Sequence, residues 1–264
     1  MLNKRVLSAV VLIPVVAVVV WLGGYLMAAM LALVAVLAAN EVADLFGLLG
    51  VRAIKLVVLP AAAALVLDAL WPEAGIVGWC VLLLPLGLLA AEVFHRNRQG
   101  AALNWAAGVA APLYVGYALS FFLRLRQAED GLWWLALALA GTWVSDTAAY
   151  LVGVRWGKRR LAPGISPKKS WEGVWGGLAG ALLFVVPMSM WLLQMPWWAG
   201  VVLAVALTIV ATLGDLAESV LKRQAGAKDS SQLIPGHGGM LDRIDSLLFV
   251  VPMVYVARLI FLLF

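Results

Sequence analysis

Residues 197–222 read WWAGVVLAVALTIVATLGDLAESVLK. No ionisable side chain interrupts the run from Trp197 to Leu213; Asp215, Glu218 and Lys222 then arrive in quick succession. The run is apolar throughout and does not alternate, which is the pattern of a helix in hydrocarbon and not of a barrel strand. Asp215 stands 18 residues beyond Trp197, about 27 Å along a helix rising about 1.5 Å per residue. In a hydrocarbon core about 30 Å thick, that places it at one boundary of the membrane. Asp215, Glu218, Ser219 and Lys222 fall at i, i+3, i+4 and i+7 and share one face. A Glu218–Lys222 pair accounts for those two residues. Asp215 has Ser219 at i+4 and no basic partner, so it calls for a function.

The same apolar texture fills the chain. Of 264 residues, 64% are hydrophobic and 12% charged, with a mean hydropathy of +1.00. A soluble domain is nearer half apolar and a quarter charged. The expectation is an all-α integral membrane protein with nine transmembrane helices, near 5–22, 25–47, 54–71, 75–94, 101–123, 131–153, 171–193, 197–222 and 245–264. Lys4 and Arg5 ahead of an apolar run look like a signal peptide. No small-residue cleavage site follows, and Trp21-Leu22-Gly23-Gly24 leads into the next span, so a retained helix is expected. With the N-terminus in the cytoplasm and the C-terminus outside, the inner side collects Lys4, Arg5, Arg52, Lys55, Arg96, Arg98, Arg155, Lys158, Arg159, Arg160, Lys168, Lys169, Lys222, Arg223, Lys228 and Arg243. Only Arg124 and Arg126 fall outside, and Arg258 lies within the last span. The net charge of +5 is thus mostly a property of the inner face. Cys80, alone in an apolar span, carries no disulfide information. No linker, low-complexity tract or internal repeat is visible, and residues 1–264 read as a single polytopic membrane domain.

Ten of those sixteen inner cations crowd into two loops, more than orientation requires. The first begins at Lys222 and reads KRQAGAKDSSQLIPGHGGMLDRIDS to Ser246. Asp242 and Asp245 open the last helix on one face; the helix dipole accounts for one acid there more readily than two. If the loop folds back, Asp215 and Asp242 converge. Carboxylates gathered at a membrane boundary repel unless a cation holds them, and oxygen-only ligands point to a hard cation such as Mg²⁺. Gly236, Gly238 and Gly239 permit positive φ, so amides can approach a phosphate. Lys222, Arg223 and Lys228 supply positive charge. His237 either orients a phosphate oxygen or bonds within the loop.

The second loop, Val154 to Ser170, is the most basic in the chain. It follows Asp146, an acid still inside the membrane with no basic residue within a turn and Tyr150 at i+4. Ser166-Pro167-Lys168-Lys169-Ser170 leads into the next helix, with Ser170 the expected N-cap. Lys168 and Lys169 at that helix start make an anion site, or a contact for anionic lipid heads. Lys158, Arg159 and Arg160 have no acid beside them and read as surface charge. Glu41, Asp44 and Glu92 are expected as interfacial partners of Arg52 or Arg96. Trp133-Trp134 and Trp197-Trp198 read as boundary belts, Pro112, Pro187 and Pro252 as kinks, and Gly141, Gly153 and Gly157 as packing residues.

Acids able to hold Mg²⁺, basic and glycine-rich phosphate contacts and a cytoplasmic lipid boundary suit phosphoryl or nucleotidyl transfer between a soluble nucleotide and a headgroup. Written as spacing, Ser219 to Asp245 is S-x-L-K-R-x4-K-D-x-S-x2-I-P-x-H-G-G-M-x-D-R-I-D. This resembles the signature of phosphatidate cytidylyltransferases, and SDTAAYLVG from Ser145 and SPKKSWEG from Ser166 occur in that family's order and spacing. The motifs cover roughly the C-terminal half, which makes 131–264 the expected catalytic half; residues 1–130 match only as apolar helices. The resemblance implies transfer of CMP from CTP to phosphatidate, giving CDP-diacylglycerol and pyrophosphate at the cytoplasmic side of the inner membrane. It also implies a Mg²⁺-dependent centre, with or without a second cation, and a homodimer among membrane lipids, with no nucleic-acid partner. Asp215 and Asp242 are the leading candidates for metal ligands, followed by Asp146 and Asp245. Lys222, Arg223, Ser219, His237, Lys228 and Asp229 are the catalytic candidates; Ser166, Lys168, Lys169, Gly238, Gly239 and Arg243 are the phosphate-binding ones. A CTP-dependent lipid-alcohol kinase would need the same contacts but release CDP. An ion-coupled transporter would place its acids near the midplane between inverted repeats, which this chain does not show.

Overall fold

The computed structural model describes residues 14–95, 99–233 and 238–263. Residues 14–22 are helical, and eight helices follow: α1 (Gly24–Leu48), α2 (Lys55–Leu67), α3 (Ile76–Val93), α4 (Ala101–Gln127), α5 (Gly131–Trp156), α6 (Trp171–Leu192), α7 (Trp197–Gln224) and α8 (Leu241–Phe261). Seven helices among the described residues are long and apolar enough to cross a membrane. They coincide with seven of the nine expected spans. Half of the expected span at 5–22 lies outside the described residues. The one at 54–71 is shorter, because α2 ends at Leu67 in a tight turn over Asp68–Leu70. There the buried Asp68 carboxylate accepts from Val77 N at 3.0 Å and pairs with Arg124. The basic loop folds into a hairpin, β1 (Arg160–Ala162) antiparallel to β2 (Ser166–Ser170).

The chain forms two compact units, Met1–Arg124 with Leu221–Arg243, and Leu125–Val220 with Ile244–Phe264. In unit one, α1 packs on α2, and α4 packs on α1, α2 and α3. Pro112 lies within α4, and the residues after it, Leu113–Tyr117, widen into a π-helical turn. Gly116 in that turn lies against the backbone of Ala62, where no side chain would fit.

In unit two the principal contact is α5 against α6. Lipid gives apolar side chains no hydrophobic reason to leave it, so membrane helices associate through close van der Waals packing of small residues. Gly173, Gly177 and Gly180 of α6 face Ser145, Ala148, Ala149 and Gly153 of α5. Gly141 meets Val185 and Leu207, so the packing role expected for Gly141 and Gly153 is what the structure shows. Gly157 likewise lies against Ser170. The aromatic belt needs one correction. Trp197 and Trp198 are exposed, but Trp134 is buried, with its ring centroid 6.3 Å from that of Phe261.

Candidate active site

Unit one contains the end of α7, the loop beyond it and the start of α8. Lys222 lies in the last turn of α7, and its Nζ donates to Asp242 Oδ1 at 2.5 Å. Their side chains are only 10% and 8% exposed, so little water shares the contact. Asp242 Oδ2 accepts from Ser230 N at 2.9 Å, Ser230 Oγ at 2.8 Å and Gly239 N at 2.8 Å. Four donors on one carboxylate come close to filling its acceptor sites. Gly238 has φ +79°, and a Cβ there would meet Asp242 Oδ2 at 2.6 Å. Positive φ holds for Gly238 but not for Gly239. Gly239 instead leaves room for Ser230 Oγ and the Glu41 carboxylate, both of which a side chain would overlap. Arg223 donates to Ala227 O at 2.9 Å, and Lys228, Asp229 and Arg243 are exposed. His237 and Gly236 lie outside the described residues.

Glu41 overturns its expected pairing. It is 3% exposed. Its carboxylate accepts from Ser230 Oγ at 2.8 Å, Ser231 Oγ at 2.6 Å, Met240 N at 2.8 Å and Leu241 N at 2.8 Å. Arg52 is not its partner in those bonds, and Arg96 lies outside the described residues. Asp44 pairs with Lys55 at 2.5 Å instead of with an arginine, whereas Glu92 does take Arg52, at 3.1 Å. The rule that singled out Asp146 and Asp215 would have found Glu41, an acid in an apolar helix with no basic residue at i±3 or i±4.

Unit two contains the other acids. Asp215, on α7, accepts from Lys169 Nζ at 2.6 Å through Oδ2, and Ser219 Oγ lies 3.4 Å from Oδ1. Asp146, on α5, is within electrostatic reach of both Lys169 and Asp215. The cation missing from its own helix is thus delivered by β2. Lys169 is placed by the hairpin and by Ser170 next to it, whose Oγ caps α6 by accepting from Gly173 N at 3.1 Å. Lys169 sits at the start of α6 as expected, one residue before its cap, but on a strand and with an acid, Asp215, beside it. Lys158, Arg159 and Arg160 are exposed, as surface charge should be, but an acid does stand beside the first two. The Glu172 carboxylate accepts from Lys158 N at 3.0 Å and Arg159 N at 3.1 Å. Lys168 is exposed and Ser166 half-buried. Asp245 Oδ1 accepts from Ser246 N at 2.7 Å, and Gly214 lets the Asp245–Ser246 backbone approach α7.

No three His, Cys, Asp or Glu residues gather as a metal cage among the described residues. Two carboxylates at one place are nonetheless a fitting donor set for Mg²⁺, which binds through one or two acids and completes its shell with water and substrate phosphate. Asp146 and Asp215 meet that description. Asp242 has only Oδ1 to offer, in exchange for Lys222.

A family model described as the cytidylyltransferase family matches residues 3–261. The chain belongs to this family. It is 33% identical to a phosphatidate cytidylyltransferase of Synechocystis over 96% of its own length and 95% of that protein's. It is also 33% identical to one of Staphylococcus epidermidis, over 96% and 97%. A phosphatidate cytidylyltransferase of Haemophilus influenzae reaches 48% identity over about half of each chain.

Proposed function

We propose that this membrane enzyme is a CTP:phosphatidate cytidylyltransferase, making CDP-diacylglycerol and pyrophosphate for phospholipid synthesis. The observation that carries the reading is Asp215 paired with Lys169 and within electrostatic reach of a second acid, Asp146, in a chain that matches cytidylyltransferases almost end to end. The reaction is an in-line displacement. A phosphatidate oxygen forms the new bond to the α-phosphorus of CTP as the bond to the β-phosphate oxygen breaks and pyrophosphate departs. A phosphomonoester has a second pKa of about 6, so its oxygen is already largely deprotonated near neutral pH and needs no strong base. The work left to the protein is positioning and charge neutralisation.

Asp215 and Asp146 are the proposed Mg²⁺ ligands; Asp242, through Oδ1, and Asp245 are each proposed as candidates for a second cation. The ion, when bound, offsets the negative charge of the phosphates. Ser219 orients Asp215. Lys169 and Lys222, each seated on an acid, are held ready to turn to phosphate oxygens. Exposed Lys168, Arg223, Lys228 and Arg243 draw the anionic substrates in, and Ser166, Asp229, His237 and the Gly238-Gly239 turn complete the contacts. The setting is the cytoplasmic side of the inner membrane, with nine spans, an inner N-terminus, an outer C-terminus and a homodimeric assembly. The sixteen basic residues on the inner side support that orientation.

The fate of labelled phosphate tests the reaction. With purified protein, phosphatidate and Mg²⁺, label from the α-position of CTP is expected in the lipid and label from the γ-position in pyrophosphate. Label passing from the γ-position to a lipid alcohol, with release of CDP, would replace this function with a kinase.

A further inference from the structure

We infer that Glu41 is a positioning residue for cytidylyl transfer, clamping the loop that carries Asp242 although it touches neither substrate. The inference rests on the function proposed above. A carboxylate that is 3% exposed in an apolar helix is costly to bury unless its oxygens are satisfied. Here the satisfaction comes entirely from the loop. Oε2 takes Ser230 Oγ and Leu241 N; Oε1 takes Ser231 Oγ and Met240 N. Each oxygen thus holds one hydroxyl from the near end of the loop and one amide from its far end. The two ends, ten residues apart in sequence, are pinned to one side chain on α1.

The clamp connects to the site through Ser230. Its Oγ lies 2.8 Å from Glu41 Oε2 and 2.8 Å from Asp242 Oδ2, so its single hydroxyl hydrogen serves one carboxylate at a time. Asp242 in turn holds Lys222. Gly239 closes the arrangement, since its amide donates to Asp242 and any side chain there would overlap both Ser230 Oγ and Glu41. Glu41 therefore acts on Asp242 and Lys222 at one remove, by fixing where the loop places them.

Glu41→Gln keeps the size but turns one oxygen into an NH₂ group. Whichever way the amide faces, that group meets a backbone N–H as well as a serine hydroxyl. The hydroxyl can rotate to accept, but the N–H cannot, so one end of the loop comes free. Misplacing catalytic groups by about 1 Å costs on the order of a hundredfold in rate. Purified Glu41→Gln is thus expected to show a kcat roughly a hundredfold lower, with KM for CTP and phosphatidate within about threefold and faster amide exchange confined to residues 239–242. Gly239→Ala should reproduce this loss, and the double variant should be little worse than either single one, as expected for coupled sites. A wild-type kcat in folded Glu41→Gln, or full additivity with Gly239→Ala, would overturn the inference. If Glu41→Gln does not fold, Ser231→Ala decides the matter: a several-fold lower kcat with faster exchange at Met240 supports the clamp, and an unchanged kcat rejects it. An inactive wild type would instead count against the proposed reaction.

Discussion

Two acids of the same chain, Asp242 and Asp215, each hold a lysine, yet their surroundings differ. Asp242 is nearly enclosed and takes four donors, three from the loop it organises. Asp215 is 37% exposed and takes Lys169 and the more distant Ser219, with a second acid in reach. A carboxylate whose oxygens are filled by its own protein holds structure. One with fewer donors, more solvent and a like-charged neighbour is suited to exchange its lysine for a cation. Both are read from the sequence as the same thing, an acid near a membrane boundary, and only their partners tell them apart.

That contrast can be broken by substitution. Asp242→Asn should have the largest combined effect. It leaves Lys222 charged and buried, and breaking such a pair costs about 3 kcal/mol, so thermal unfolding in detergent should fall by several degrees while turnover is lost. Asp215→Asn should leave the unfolding temperature nearly unchanged, because its pair is partly solvated. Equal destabilisation by both would erase the distinction. Lys169→Met should lower kcat about tenfold, since one positioned cation is lost, while reducing the Mg²⁺ concentration for half-maximal rate, because the lysine no longer competes for Asp215. A raised Mg²⁺ requirement would mean that Lys169 does not occupy the place of a cation. Ser170→Ala removes the cap of α6 and should cost about 1 kcal/mol, with a modest loss of activity through the hairpin. The smallest effect is expected for Asp44→Asn, which breaks an exposed pair with Lys55 worth under about 0.5 kcal/mol.

How much was legible in the sequence follows from the range of each interaction. The long helices were readable because a run of about 20 apolar residues has few other solutions. The cap at Ser170 was readable because it is made three residues away. The partners of Asp146, Asp242 and Glu41 were not, since each comes from a segment folded back from elsewhere: Lys169 on the hairpin, Ser230 and Gly239 in the loop, Met240 and Leu241 at the start of α8. Glu41 differs from the interfacial partner expected of it because its donors come from a loop 189 to 200 residues further along the chain. The absence of a basic residue near it on its own helix is nonetheless a local signal. Trp134 departs from the belt because neighbouring helix positions point in different directions, and its own position turns inward to Phe261.

The central claim is that Asp215 serves cytidylyl transfer from the open cluster. Pyrophosphate release by purified protein in phosphatidate–detergent micelles with CTP tests it most directly, measured across a Mg²⁺ titration for wild type and Asp215→Asn. Release is expected to require CTP, phosphatidate and Mg²⁺ together, and to fall about a thousandfold in folded Asp215→Asn. Release at wild-type rate in that variant at limiting Mg²⁺ would contradict it.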